Sequence, residues 1–102
     1  VVSALSRARE SGLRSAELEN ASAVALIRLE RFDEARPHLE TALQLAPTAP
    51  DPLLNMALLL DLHYSETAEA LRYYERYLGL GPDPKIAGYV QRIKRFRSAP
   101  TN

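Results

Sequence analysis

The segment Arg31 to Pro47, RFDEARPHLETALQLAP, returns in loose form at Ser65 to Pro82 as SETAEALRYYERYLGLGP, and this repetition limits the fold more than any other feature. In each copy an alanine (Ala35, Ala70) is followed four residues later by a large apolar residue (Leu39, Tyr74), then by Leu43 or Leu78, and then by a proline. That is helical spacing with a stop. Upstream, Ala23 with Leu26 and Ala57 with Leu60 stand in matching places. Each copy therefore reads as two helices joined by a turn, with a period near the ~34 residues of helical-hairpin arrays. A unit this short cannot bury its own apolar face, so the hairpins must stack.

The spacing predicts six helices and no strand, at about 1–10, 15–29, 32–45, 51–63, 66–80 and 84–97. The first is read as the second helix of a truncated preceding repeat (1–14), with Val1, Leu5 and Ala8 one period before Ala35, Leu39 and Ala42 and with Gly12 as its left-handed stop. The first full repeat spans 15–48. Ser15 is its N-cap, and Leu18, Ser22, Leu26 and Leu29 form the stripe toward the partner helix. Pro37 falls early in the second helix, where a slight bend is expected. The second repeat spans 49–83 and opens on the apolar run LLNMALLLDL, which must be covered on more than one side. Ser65 is its second N-cap, Gly79 and Gly81 close that helix, and the turn region carries one extra residue. A capping helix (84–97) directs Ile86, Tyr89, Val90, Ile93 and Phe96 inward, and a tail (98–102) frays.

These residues give the chain a clear resemblance to the tetratricopeptide repeat (TPR) family, carried by Ala23, Leu26, Ala35, Leu39, Ala42 and Pro47 in one copy and Met56, Ala57, Leu60, Ala70, Tyr74 and Pro82 in the other. The departures are Glu19 and Leu53 at positions where the family often has tryptophan, Ser22 for leucine, alanine for glycine at Ala23 and Ala57, and Tyr77 for alanine. The resemblance implies an all-α fold, a right-handed superhelical stack of antiparallel helix pairs. It also implies a non-catalytic module whose first helices line a concave groove for a protein or peptide partner. Modules of this look occur in bacterial secretion, pilus and envelope assembly, an association only.

Residues with groove spacing are Asn20, Val24, Ile27 and Arg28 on the first helix and Leu54, Asn55, Leu58, Asp61 and Leu62 on the next. Apolar side chains beside asparagine amides suit an amphipathic helix or an extended peptide. The competing reading is that they pack between repeats. Self-association through the ends of the stack is the alternative function, with an exposed N-terminal edge at Val1, Val2 and Leu5 expected to give a weak homodimer.

Catalysis and metal binding find no support, because His38 and His63 lie on different helices and Asp61 and His63 diverge. No cofactor is implied. With no cysteine there is no disulfide framework, and cytoplasm and periplasm stay equally open. No apolar run reaches the ~18 residues of a membrane span. The net charge is zero, yet every acidic residue lies at or before Asp83 while Lys85, Arg92, Lys94, Arg95 and Arg97 follow it. That basic helix could touch nucleic acid or an acidic surface, a reading ranked below the others because its dipole alone favours cations near a C-terminus.

Overall fold

The computed structural model describes the backbone of residues 2–98 and the side chains of residues 10–97. It contains five helices among those residues: α1 (Val2–Arg28), α2 (Phe32–Leu45), α3 (Pro50–Leu62), α4 (Thr67–Leu78) and α5 (Pro84–Ser98). Helix α1 packs against α2, α3 against α4, and the pairs join through α2 and α3, with α5 laid on α4. The all-α stack of hairpins is as the repeat predicts.

Alanines set how closely the helices approach. Ala23, Ala35, Ala42, Ala57 and Ala70 are fully buried, and Leu39, Leu53, Met56, Leu60 and Tyr74 fill the space around them. Small side chains let two backbones come together, and a larger group at such a site overpacks a dense interior. Helix α3 is central: Pro52, Leu53, Met56, Ala57, Leu59 and Leu60 are all buried. Its apolar run is explained by cover from both α2 and α4.

The start of the chain differs from the reading of its sequence. The two helices predicted at 1–10 and 15–29 are one continuous helix of 27 residues, and no glycine takes a positive φ among the described residues. Gly12 stays helical because a lone interior glycine costs only about 1 kcal/mol and no proline follows to force a stop. Ser15 accordingly lies inside α1 rather than capping it. The inward stripe is also rephased. Ala16 and Ala23 are buried and Leu26 and Ile27 half-buried, whereas Leu18, Ser22 and Leu29 are exposed. The large leucines lost this contest because α2 approaches α1 over its alanines. The Val1, Val2 and Leu5 edge lies outside the described side chains, and residues 99–102 of the tail lie outside the described residues altogether.

The two intra-repeat turns show where the extra residue sits. At the end of α1 the Glu30 N–H donates to the Ile27 carbonyl at 2.9 Å and the Arg31 N–H to that of Leu26 at 2.8 Å, with Glu30 at φ 60°. This is a Schellman stop on a non-glycine residue. After α3 the left-handed residue is Ser65 (φ 56°), and the Glu66 N–H reaches back to Leu60 at 2.8 Å, one residue further than in the first turn. Ser65 is therefore turn residue rather than cap, and Glu66 occupies the N-cap of α4 without a side-chain bond. Helix α4 ends at Leu78 with Gly79 still in the right-handed region, so Gly79 and Gly81 stop the helix without a left-handed turn.

Helix α5 starts on Pro84, whose missing N–H is no loss at the first helical position. Asp83 accepts a hydrogen bond from the Ile86 N–H at 3.3 Å, as an N-cap does. Val90 is buried and Ile86, Tyr89 and Ile93 are half-buried. Phe96, predicted inward, is 84% exposed because it lies past the end of the α4 surface that α5 covers. No helix among the described residues is long and apolar enough to cross a membrane.

Candidate binding groove

The residues singled out on the first helices fall into three groups. Asn20 and Asn55 come together across the α1–α3 contact, where the Asn55 amide donates to the Asn20 side-chain oxygen at 2.9 Å. Ile27, Leu54 and Leu58 pack against the main core and keep only part of their surface in solvent. Leu62, at 71% exposed, and Arg28 stand free of the core, with Val24 half-buried between these extremes.

Asp61 has a structural task. It accepts hydrogen bonds from the Tyr89 hydroxyl at 2.5 Å and the Tyr74 hydroxyl at 3.1 Å, tying α3 to α4 and α5. The two rings meet edge to face with centroids 5.8 Å apart. Burial, and then the Asp61 carboxylate, hold the Tyr74 hydroxyl well above its ordinary titration range. Tyr89 is raised as well, first by the Asp61 hydrogen bond and then by burial. Both hydroxyls are thus held as donors.

A depression of about 330 Å³ opens between the C-terminal ends of α1 and α3, lined by Ile27, Phe32, Asn55, Leu58, Leu59, Leu62 and His63. Four of these were singled out from sequence; Leu59, and the pair Phe32 and His63, were not. Phe32 and His63 stack with ring centroids 3.8 Å apart and form its floor at the turn side. The signal available in the sequence was positional: Phe32 opens α2 and His63 closes α3, so a hairpin stack brings the two ends together. Tyr64 extends this cluster, donating to Asp33 at 2.5 Å, which raises its titration.

One repeat further on, a wider and shallower groove of about 930 Å³ lies between the start of α4 and the end of α5. Its Asp61, Thr67, Arg92, Ile93 and Phe96 correspond to Ile27, Phe32, Leu58, Leu59 and Leu62 of the first depression. The two sites thus repeat along one edge of the stack, the first apolar and the second lined by the acidic Asp61, Glu66 and Glu69 as well as by Arg92 and Arg97. Among the described residues no group of three histidine, cysteine, aspartate or glutamate side chains could hold a metal ion.

No curated protein and no solved structure matches the chain. The sequence model of the tetratricopeptide repeat family matches residues 16–49, which take in Ala16 to Arg28 of α1, all of α2 and the turn into α3. That family consists in general of non-catalytic protein-interaction modules. Residues 16–49 of this chain are thus similar to a tetratricopeptide repeat.

Proposed function

We propose that the chain is a non-catalytic scaffold that holds a protein segment along the edge formed by the C-terminal ends of α1, α3 and α5. One observation carries this reading: Leu62 remains 71% exposed at the lip of an apolar depression, although burying a leucine is worth about 1.5–3 kcal/mol. An exposed leucine alone means little, but one beside a concave apolar site is the arrangement that receives an anchor side chain. The segment that fits is amphipathic, with an apolar residue for the Leu62 depression and polar groups toward the mixed-charge site that Glu66, Glu69, Arg92 and Arg97 line. A role in bacterial envelope, pilus or secretion assembly is compatible with such a scaffold and rests on family association alone.

The test is selection from a displayed random peptide library on the wild-type chain, with Leu62→Glu as the counter-target. Leu62 is exposed, so the variant should fold and give an unchanged helical spectrum. Enriched peptides should share an apolar anchor and lose at least tenfold in affinity for the variant. Enrichment of peptides that bind both proteins equally would sink the reading.

A further inference from the structure

Three helices carry the same face at 34-residue intervals. On α3 it is Pro52, Met56, Leu59 and His63, of which the first three are buried and His63 stacks on Phe32 of α2. On α5 it is Ile86, Val90, Ile93 and Arg97, with Val90 buried and both isoleucines half-buried. On α1 it is Leu18, Ser22, Ala25 and Leu29, and all four are exposed, Leu18 at 71% and Leu29 at 65%. The positions recur as i, i+4, i+7, i+11, the seam along which one helix packs on another.

We propose that a second copy of this chain covers Leu18, Ser22 and Ala25 of this face, by a reciprocal exchange in which the first half of each α1 lies antiparallel along the second half of the other. The sequence period names the occupant, since Val1, Leu5 and Ala8 stand one repeat before Ala35, Leu39 and Ala42 of the helix that covers α3. Because α1 is unbroken from Val2 to Arg28, its first half cannot fold back onto its own second half. The same segment of another copy can, which is the geometry of a swapped dimer.

The register follows from the α2–α3 contact. Moving the pairing of Phe32 with His63 back one period on both helices sets position 5 opposite position 22, and a twofold axis then falls between Leu13 and Arg14. Gly12 comes opposite Ser15 at this centre, where small residues allow close approach. A 27-residue helix offers a strip about 40 Å long and about 10 Å wide. That is a small interface, so association should be weak and concentration-dependent. It is a different face from the Leu62 depression, and the two can fail independently.

Sedimentation of the full chain over a concentration series tests association, and the absence of native cysteine allows the register to be read by cross-linking. The weight-average mass should rise toward twice the chain mass. Leu18→Glu with Ala25→Glu, both at exposed sites, should weaken dimerisation at least tenfold with the helical spectrum unchanged, and Leu62→Glu should leave it intact. Oxidising the Leu5→Cys, Ser22→Cys double variant should yield a covalent dimer. A chain that stays monomeric throughout, a dimer lost in Leu62→Glu but kept in the Leu18→Glu, Ala25→Glu variant, or a cross-link formed within one chain would overturn the proposal. The last outcome would mean that α1 breaks at Gly12 and folds back.

Discussion

Helices α1 and α3 occupy the same place in successive repeats yet are built from different residues. Helix α3 is leucine-rich, contributes six buried residues and is covered by α2 on one side and α4 on the other. Described α1 contributes two buried alanines, Ala16 and Ala23, and shows leucines to solvent on the face that in α3 is covered. Periodicity alone assigns both helices the same inward stripe. What separates them is cover among the described residues, because α3 is packed by both α2 and α4 whereas α1 is packed mainly by α2. A residue's burial in a repeat stack is thus a property of its place in the array as much as of its place in the repeat.

Equivalent substitutions one period apart should break the two helices unequally. Leu59→Arg places a charge where α2 covers α3 and should unfold the chain, a loss of more than about 4 kcal/mol, whereas Ala25→Arg should stay within about 0.5 kcal/mol in dilute solution. Ala57→Arg, at a helix crossing, should be as severe as Leu59→Arg. Thermal melts of the three variants decide this, and equal melting temperatures for Leu59→Arg and Ala25→Arg would remove the distinction between the helices. A milder pair sharpens it: Met56→Ala should cost about 2–5 kcal/mol and Ser22→Ala less than about 0.5 kcal/mol in urea titrations.

The hydrogen-bonded tyrosines distinguish the second half of the chain by its response to alkali. Tyr74 and Tyr89 titrate higher when folded than the ordinary value of about 10 because Asp61 and burial favour their neutral forms. Their contribution is therefore complete below about pH 10 and is lost as pH rises through the raised values, where the unfolded chain gives up protons first. Melting temperature should fall above pH 10, and the fall should be shallower in Tyr74→Phe, which also costs about 1 kcal/mol at neutral pH through the lost bond to Asp61. Asp83 acts at the other end of the scale. Its carboxyl is held low by the Tyr77 hydroxyl and the Ile86 N–H, so its contribution is present above about pH 4 and disappears as pH falls through the lowered value.

The smallest predicted effect compares the two turns. Glu30 and Ser65 each hold a left-handed conformation that glycine adopts without steric cost. Glu30→Gly should therefore stabilise the chain by up to about 1 kcal/mol, and Ser65→Gly by a similar amount, measured as shifts in urea midpoint at constant slope.

Much of this was legible in the sequence, for identifiable reasons. The alanine and leucine spacing of the repeat located α2 to α5 to within a few residues, and the offset from Ala35 to Ala70 revealed the extra turn residue later found around Ser65. Gly12 and Ser15 misled, because a glycine and a serine punctuate a helix only where neighbouring structure turns the chain, and nothing local at residues 9–15 does so. Leu18 and Leu29 misled because large apolar residues were given priority over Ala16 and Ala23, while the close α1–α2 approach selects small ones. In the groove, Ile27, Leu58 and Leu62 were readable from helical spacing. Phe32 and His63 were not, since their stacking depends on how the ends of two hairpins meet. Asp61 has groove spacing, but no pattern indicates that two tyrosines 13 and 28 residues later will claim its carboxylate.

Residue-resolved hydrogen exchange tests the contrast between α1 and α3 most directly. In dilute solution the amides of Met56 to Leu60 should exchange only through global unfolding, whereas those of Ala16 to Ile27 should exchange faster by local opening of α1 from α2. Raising the protein concentration should slow the α1 amides selectively. Amides in α1 as slow as those in α3 at the lowest concentration would show that α1 is as fully integrated as α3 and would contradict the account.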